Sequence, residues 1–259
     1  MKLRTHIWNE MRSPEIAEAQ QAGAVVLIPT GATEQHGAHL AMDVDILSAT
    51  TVALRAAEQV KEFPVLVANI SHIGFSPECM EHPGTLSLRL ETFIAMITDV
   101  VKSIHASGFR KIMVVNGHGG NVPPLRAAAW QLTTDGYPLA IVTYWELIVE
   151  EQSRFLCGPV DHIRHACEFE TSMMLEIRPA GVAMDKAVDC VHPPWNPKLK
   201  RDPLRGEGVF FPSVFRKSGP GLVGAPTYAK PETGGKLLGA ASDKLARVVR
   251  IFRETDLGM

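Results

Sequence analysis

The sequence predicts an α/β fold, a mostly parallel sheet with helices on both faces. Apolar runs of strand length recur at 24–29, 64–70, 111–115 and 139–144. None alternates strictly between polar and apolar residues, which is how strands buried on both faces read. Helical patterns fall between them, at 45–61, 92–107 and 123–135, so strand and helix take turns along the chain.

Taken in order, the first run, Ala24 to Pro29, opens into a glycine-rich turn before the helix at 45–61. The second run leads into a long loop that carries His72 and His82. The helix at 92–107 stops before Gly108, as a glycine cap requires. The third run, Lys111 to Val115, ends in Asn116-Gly117-His118-Gly119-Gly120-Asn121, and the fourth ends beside Trp145. From Arg178 to Gly221 prolines, glycines and basic residues cluster. Trp195 and Val209-Phe210-Phe211 within that stretch argue for a flap or oligomer contact rather than a linker. A helix at about 233–254 closes the chain, and residues 1–259 read as one domain with a flap at about 178–221.

Hydrophobic content of 46% and charged content of 21% are ordinary for a soluble globular protein. A net charge of -2 leaves no basic footprint for nucleic acid. No apolar run reaches the roughly 18 residues of a membrane span. The first nine residues lack the apolar core of a signal peptide, so a cytoplasmic location is expected. The 4 cysteines form no C-x-x-C pair, which argues against a disulfide framework or zinc knuckle.

The chemistry concentrates at strand ends, where α/β proteins build their sites. Glu34, His36 and Asp45 follow the first run, and His118 follows the third. Imidazole nitrogen combined with carboxylate oxygen suits Zn²⁺, Mn²⁺ or Fe²⁺. Asp45, near the start of a helix, has two oxygens with which to bridge two cations. Gly119 and Gly120 let the main chain approach a ligand and offer N–H groups to a developing oxyanion. The loop lacks the lysine and hydroxyl of a phosphate-binding loop, which argues against nucleotide. His165 and Glu168 stand three apart, on one side if helical, with Glu170 turned away. Trp145 and His82 are candidates to line the pocket.

Together these residues resemble the creatininase (creatinine amidohydrolase) family. The resemblance rests on G-A-x-E-Q-H-G-x-H-L…D, H-P-G-T-L-S-L, N-G-H-G-G-N and H-x-x-E-x-E-T-S, with a weaker match from Gly224 to Gly234. It implies a three-layer α/β/α fold, a centre of two divalent metals and a homohexamer. It also implies that Glu34 binds one metal, His36 and His118 bind the other, Asp45 bridges them, and His165 is the active-site histidine. Creatininase proper has a glutamate where this chain has Gly120, and Glu168 is the candidate to fill that ligand position. The aromatics that enclose creatinine in creatininase proper are absent, with Gly119 at one such position. The family includes formamide deformylases, a peptidase of cofactor maturation and an inosose-cleaving hydrolase.

The expected activity is hydrolysis of a C–N bond in a small cyclic amide or formamide by metal-activated hydroxide. His165 passes a proton to the leaving nitrogen, and Glu168 serves as ligand or general base. The alternatives are ring-opening hydrolysis of a cyclic polyol ketone and a non-catalytic metal-binding subunit.

Overall fold

The computed structural model describes residues 3–191 and 219–258. Its sheet contains β1 (Val25–Thr30), β2 (Val65–Val67), β3 (Lys111–Asn116) and β4 (Ala140–Thr143). The order is β2-β1-β3-β4, and every neighbouring pair is parallel. β2 is shorter than its apolar run. Its free edge is covered by the N-terminal segment, where Val67 N–H donates to His6 O at 2.8 Å. Covering an edge removes a template for aggregation.

Both faces of the sheet are buried, as the unbroken apolar runs require. Val25, Leu27, Met113 and Val115 point into one core, and Val26, Ile28, Ile112 and Val114 into the other. The first core is closed by α2 (Val44–Gln59), α6 (Glu168–Ile177) and α7 (Pro231–Glu254), with the short α5 (Val149–Phe155) at its margin. The second is closed by α1 (Ser13–Gln21), α3 (Leu90–Ala106) and α4 (Val122–Thr134). The result is three layers, helix, sheet and helix. The helix α1 was outside the periodic reading. Its local signal is Pro14 in the first turn and Glu15, whose Oε2 accepts the Arg12 N–H at 2.7 Å.

The connections fix where a site forms. β1 leaves through α2 toward β2, while β3 leaves through α4, on the opposite face, toward β4. The neighbouring ends of β1 and β3 therefore diverge, and a crevice opens at their carboxyl side. The start of α2 sits directly over that crevice. A Cβ on Gly31 would lie 2.3 Å from Ile46 N, and one on Gly117 2.3 Å from Asp45 O. Only glycine at both strand ends lets the helix come this close.

Of the stretch expected to be a flap, 178–191 and 219–221 are described, and Trp195 and Val209-Phe210-Phe211 lie outside the described residues. The described part folds as short turns against the β1 loop. There Ala183 N–H donates to His39 O at 2.8 Å.

Candidate metal centre

Asp45 is the second residue of α2 and is 3% exposed. Its Oδ1 lies 3.1 Å from His36 Nε2, and its Oδ2 lies 2.9 Å from His118 Nδ1. Each oxygen thus faces a different histidine. Glu34 Oε1 is 3.4 Å from His118 Nδ1 and 3.4 Å from His165 Nδ1. Glu170 Oε1 approaches His36 Nε2 to 3.9 Å. Three overlapping groups result: Glu34–Asp45–His118, His36–Asp45–Glu170 and Glu34–His36–His165. Within each, one ligand atom per residue lies within 4.8 Å of the others.

The outer contacts aim the imidazoles. His36 Nδ1 donates to the main-chain O of Glu34 at 3.1 Å, which leaves Nε2 a lone pair facing Asp45. His118 Nε2 donates to Phe75 O at 3.1 Å and lies 3.0 Å from Ser76 Oγ, which leaves Nδ1 bare toward Glu34 and Asp45. Fixing one nitrogen to set the other as a ligand is the usual support of a metal-binding histidine. Among the described residues, Glu34 Oε2 is buried without a hydrogen bond, and His36 Nε2 and Asp45 Oδ2 meet only the other members of the cluster. Buried polar atoms are seldom left so. A divalent cation fits both this shortfall and the mixed nitrogen and oxygen donors.

The electrostatics agree. Burial drives Glu34 up and Glu170 up to about 8. Burial also works against charge on His36 and His118, yet the carboxylates around them prevail and push both up to about 10. Asp45 is held low against its burial by those two histidines. His165 falls well below its ordinary value through burial and the neighbouring His36. In this arrangement protons serve as counter-ions to the carboxylates, and a bound cation would displace them.

The structure brings Glu34, His36, Asp45, His118 and His165 together, while Glu168 and the expected partition of ligands are placed differently. Glu168 does not face the cluster. Its Oε1 and Oε2 accept the N–H groups of Cys157 and Gly158, each at 2.8 Å. Glu170 faces the cluster instead. The helical spacing that paired Glu168 with His165 does not apply, because α6 begins at Glu168 and His165 lies before it. Between them Ala166 has φ +52°, and Cys167 is extended. This turn reverses which acid faces inward. The second difference concerns partition: among the described residues His118 falls in a group with Glu34 and Asp45, and His36 in groups that lack His118.

A side chain at Gly120 has no room, since its Cβ would lie 2.4 Å from both His118 Nε2 and Phe75 O. Gly119, by contrast, faces open space, with no atom within 4 Å of a Cβ there. Trp145 is buried in the core on the α2 side, edge-on to Tyr144. His82 is half-buried. Its N–H closes a turn onto Cys79 O at 3.0 Å, and its ring belongs to none of the clusters. Sequence reasoning passed over Gln35 and Ser76, whose hydrogen bonds to His165 and His118 join positions 130 and 42 residues apart.

The profile of the creatininase family, creatinine amidohydrolase, matches residues 9–249, and the chain belongs to that family of hydrolases. Creatinine amidohydrolase of Pseudomonas putida is 28% identical over 247 residues, which cover 90% of this chain and 92% of the relative. The mycofactocin precursor peptide peptidase of Mycolicibacterium smegmatis is 30% identical over 230 residues, with 86% and 85% covered. The 3-dehydro-scyllo-inosose hydrolase of Thermotoga maritima is 27% identical, with 94% and 82% covered. A solved creatininase described as the Mn form superposes with a TM-score of 0.79 at 27% identity, covering 97% of this chain and 100% of that one. A mutant creatininase of Zn-Zn type superposes at 0.77 and 26%, covering 98% and 100%.

Proposed function

We propose that this chain is an amidohydrolase that works with two divalent metal ions and cleaves a C–N bond in a small amide or formamide. The observation that carries the reading is Asp45, whose two oxygens face two different histidines. Glu34, Asp45 and His118 would hold one ion, and His36, Asp45 and Glu170 the other. Zinc and manganese suit these donors, as does ferrous iron. Bound there, such a pair supplies Lewis acidity to a carbonyl and acidifies water toward neutrality.

The chain's own groups do the rest. His165 Nδ1 faces the cluster beside Glu34 and can take a proton from the attacking water and hand it to the leaving nitrogen. Gly119 and Gly120 follow His118 directly, so their main chain borders the cluster and bears no side chain that would close it. The open space at Gly119 favours a second reading within the same chemistry, cleavage of an amide bond in a peptide. The peptidase among the relatives points the same way. The proposal carries a cytoplasmic homo-oligomer, a hexamer by family resemblance, which light scattering on the purified chain tests.

The function is tested by assaying the zinc- or manganese-loaded protein on creatinine, an N-formyl amine and short peptides. Asp45→Ala is expected to retain neither metals nor turnover. Full metal content and full turnover in that variant would sink the two-metal reading.

A further inference from the structure

We infer that Asn116 is a positioning residue, which holds the main chain of His118 so that its imidazole faces Glu34 and Asp45. The inference rests on the reading above that His118 binds one of two ions. Asn116 is the last residue of β3 and is fully buried. Asparagine is disfavoured both in strands and in protein interiors, so its presence there needs a reason. The reason lies two residues on. Asn116 Oδ1 accepts the His118 N–H at 3.2 Å, and Asn116 Nδ2 donates to His118 O at 2.8 Å. One side chain thus grips both main-chain groups of the same residue. A main-chain N–H only donates and a carbonyl only accepts, so the two bonds fix which way the amide points.

The grip offsets a freedom that the site cannot do without. Gly117 lies between the two residues, and a Cβ there would stand 2.3 Å from Asp45 O and 2.9 Å from Ala49 Cβ. Glycine lets α2 bring Asp45 this close, yet it is the residue with the widest backbone freedom. Its N–H is held by Thr30 O at 2.7 Å, and the Asn116 amide fixes the chain beyond it. The amide is itself anchored to the sheet. Thr30 and Thr143 stand beside Asn116 in register on β1 and β4, and all three are buried. Thr30 Oγ1 donates to Asn116 Oδ1 at 3.4 Å, and Asn116 Nδ2 reaches Thr143 Oγ1 at 3.5 Å. Both acceptor positions and both N–H groups are therefore occupied, which is the whole capacity of an asparagine side chain. From the backbone held in this way, His118 Nδ1 comes to 2.9 Å from Asp45 Oδ2 and 3.4 Å from Glu34 Oε1.

The test is zinc affinity, measured by competition with a chelator on the full-length protein, for wild type, Asn116→Leu and Asn116→Ser. Leucine fills a similar space and drops every one of these side-chain bonds. Asn116→Leu should weaken one of the two ions roughly 10–100-fold, as the loss of an outer partner of a metal ligand does, and leave the other unchanged. Asn116→Ser should weaken the same ion by a smaller factor, because a serine hydroxyl still accepts the N–H two residues on. It decides the matter if Asn116→Leu does not fold. On a His118→Ala background, neither substitution should weaken the remaining ion further. Equal affinities in all three proteins overturn the inference. So does a parallel loss of both ions, or a further loss on the His118→Ala background, since either marks a merely structural role. The two-ion reading fails separately. A wild type that holds one ion, weakened again by Asn116→Leu, sinks that reading and keeps the inference, whereas a wild type that binds no zinc sinks both.

Discussion

The main-chain N–H of Ala166 donates to Oε2 of Glu170 at 2.5 Å, and this bond leaves Oε1 turned toward His36. One oxygen is anchored and the other is presented. A metal-binding carboxylate is typically held in this way by an outer hydrogen bond. The anchor exists only because Ala166 adopts φ +52°, the left-handed conformation that a non-glycine residue rarely takes.

That conformation predicts opposite effects for two substitutions. An L-residue in the left-handed region costs roughly 1–2 kcal/mol. Glycine removes this strain but adds roughly 0.4–1 kcal/mol of unfolded-state entropy. Ala166→Gly should therefore be neutral to about 1 kcal/mol stabilising. Ala166→Val should lose about 2 kcal/mol or more, because a β-branched side chain fits neither this φ nor a fully buried site. Urea unfolding of both variants checks the pair.

Glu168 tethers the loop that carries His165, and its removal should separate stability from metal binding. Glu168→Ala leaves the N–H groups of Cys157 and Gly158 without their acceptor. An unmade bond to a buried donor costs about 1–3 kcal/mol, and less where water reaches it, as at exposed Cys157. A loss of about 2 kcal/mol in unfolding free energy is expected, with metal content unchanged. A loss of metal together with unchanged stability would contradict the tether.

Gly120→Ala should damage metal binding through His118. The new methyl would lie 2.4 Å from His118 Nε2 and from Phe75 O, and the latter is main chain and cannot swing aside. The histidine must tilt. Affinity at the Glu34–Asp45–His118 group should fall roughly 10–100-fold, as when an outer contact of a metal-binding histidine is lost. Competition with a chelator measures it.

The metal-free protein should lose stability as pH rises. His36 and His118 are raised to about 10 and Glu170 to about 8, above the ordinary values of 6.5 and 4.5. A raised group contributes its stability fully below its unfolded pKa and loses it as pH climbs through the folded one. The decline therefore runs from about pH 5 to about pH 10. Asp45 is lowered, so its contribution is lost on the acid side, below its ordinary 3.8. Metal binding releases the same protons, so metal affinity should rise with pH over the same interval. Melting temperatures with and without chelator should diverge as pH increases.

Much of this was legible in the sequence. Unbroken apolar runs read correctly as strands buried on both faces, and all four appear in the sheet in the expected parallel sense. Glu34, His36, Asp45 and His118 were legible because each follows a strand end or opens a helix, positions that local pattern marks. Glu170 was not, because its direction depends on one residue, Ala166, taking a conformation that sequence does not announce. Gln35 was hidden for another reason. Its partner lies 130 residues away, and only the return of the chain over the crevice brings them together. The helix α1 was missed because Ala19 is its only buried residue, so it lacks the apolar stripe that marks the other helices.

The most direct test of the account is metal content per chain, by elemental mass spectrometry, for wild type, Glu170→Ala and Glu168→Ala prepared without chelators. About two ions in wild type and in Glu168→Ala, falling to about one in Glu170→Ala, is the predicted outcome. Loss in Glu168→Ala with retention in Glu170→Ala would contradict it and return the second site to Glu168, the acid that the family resemblance implied.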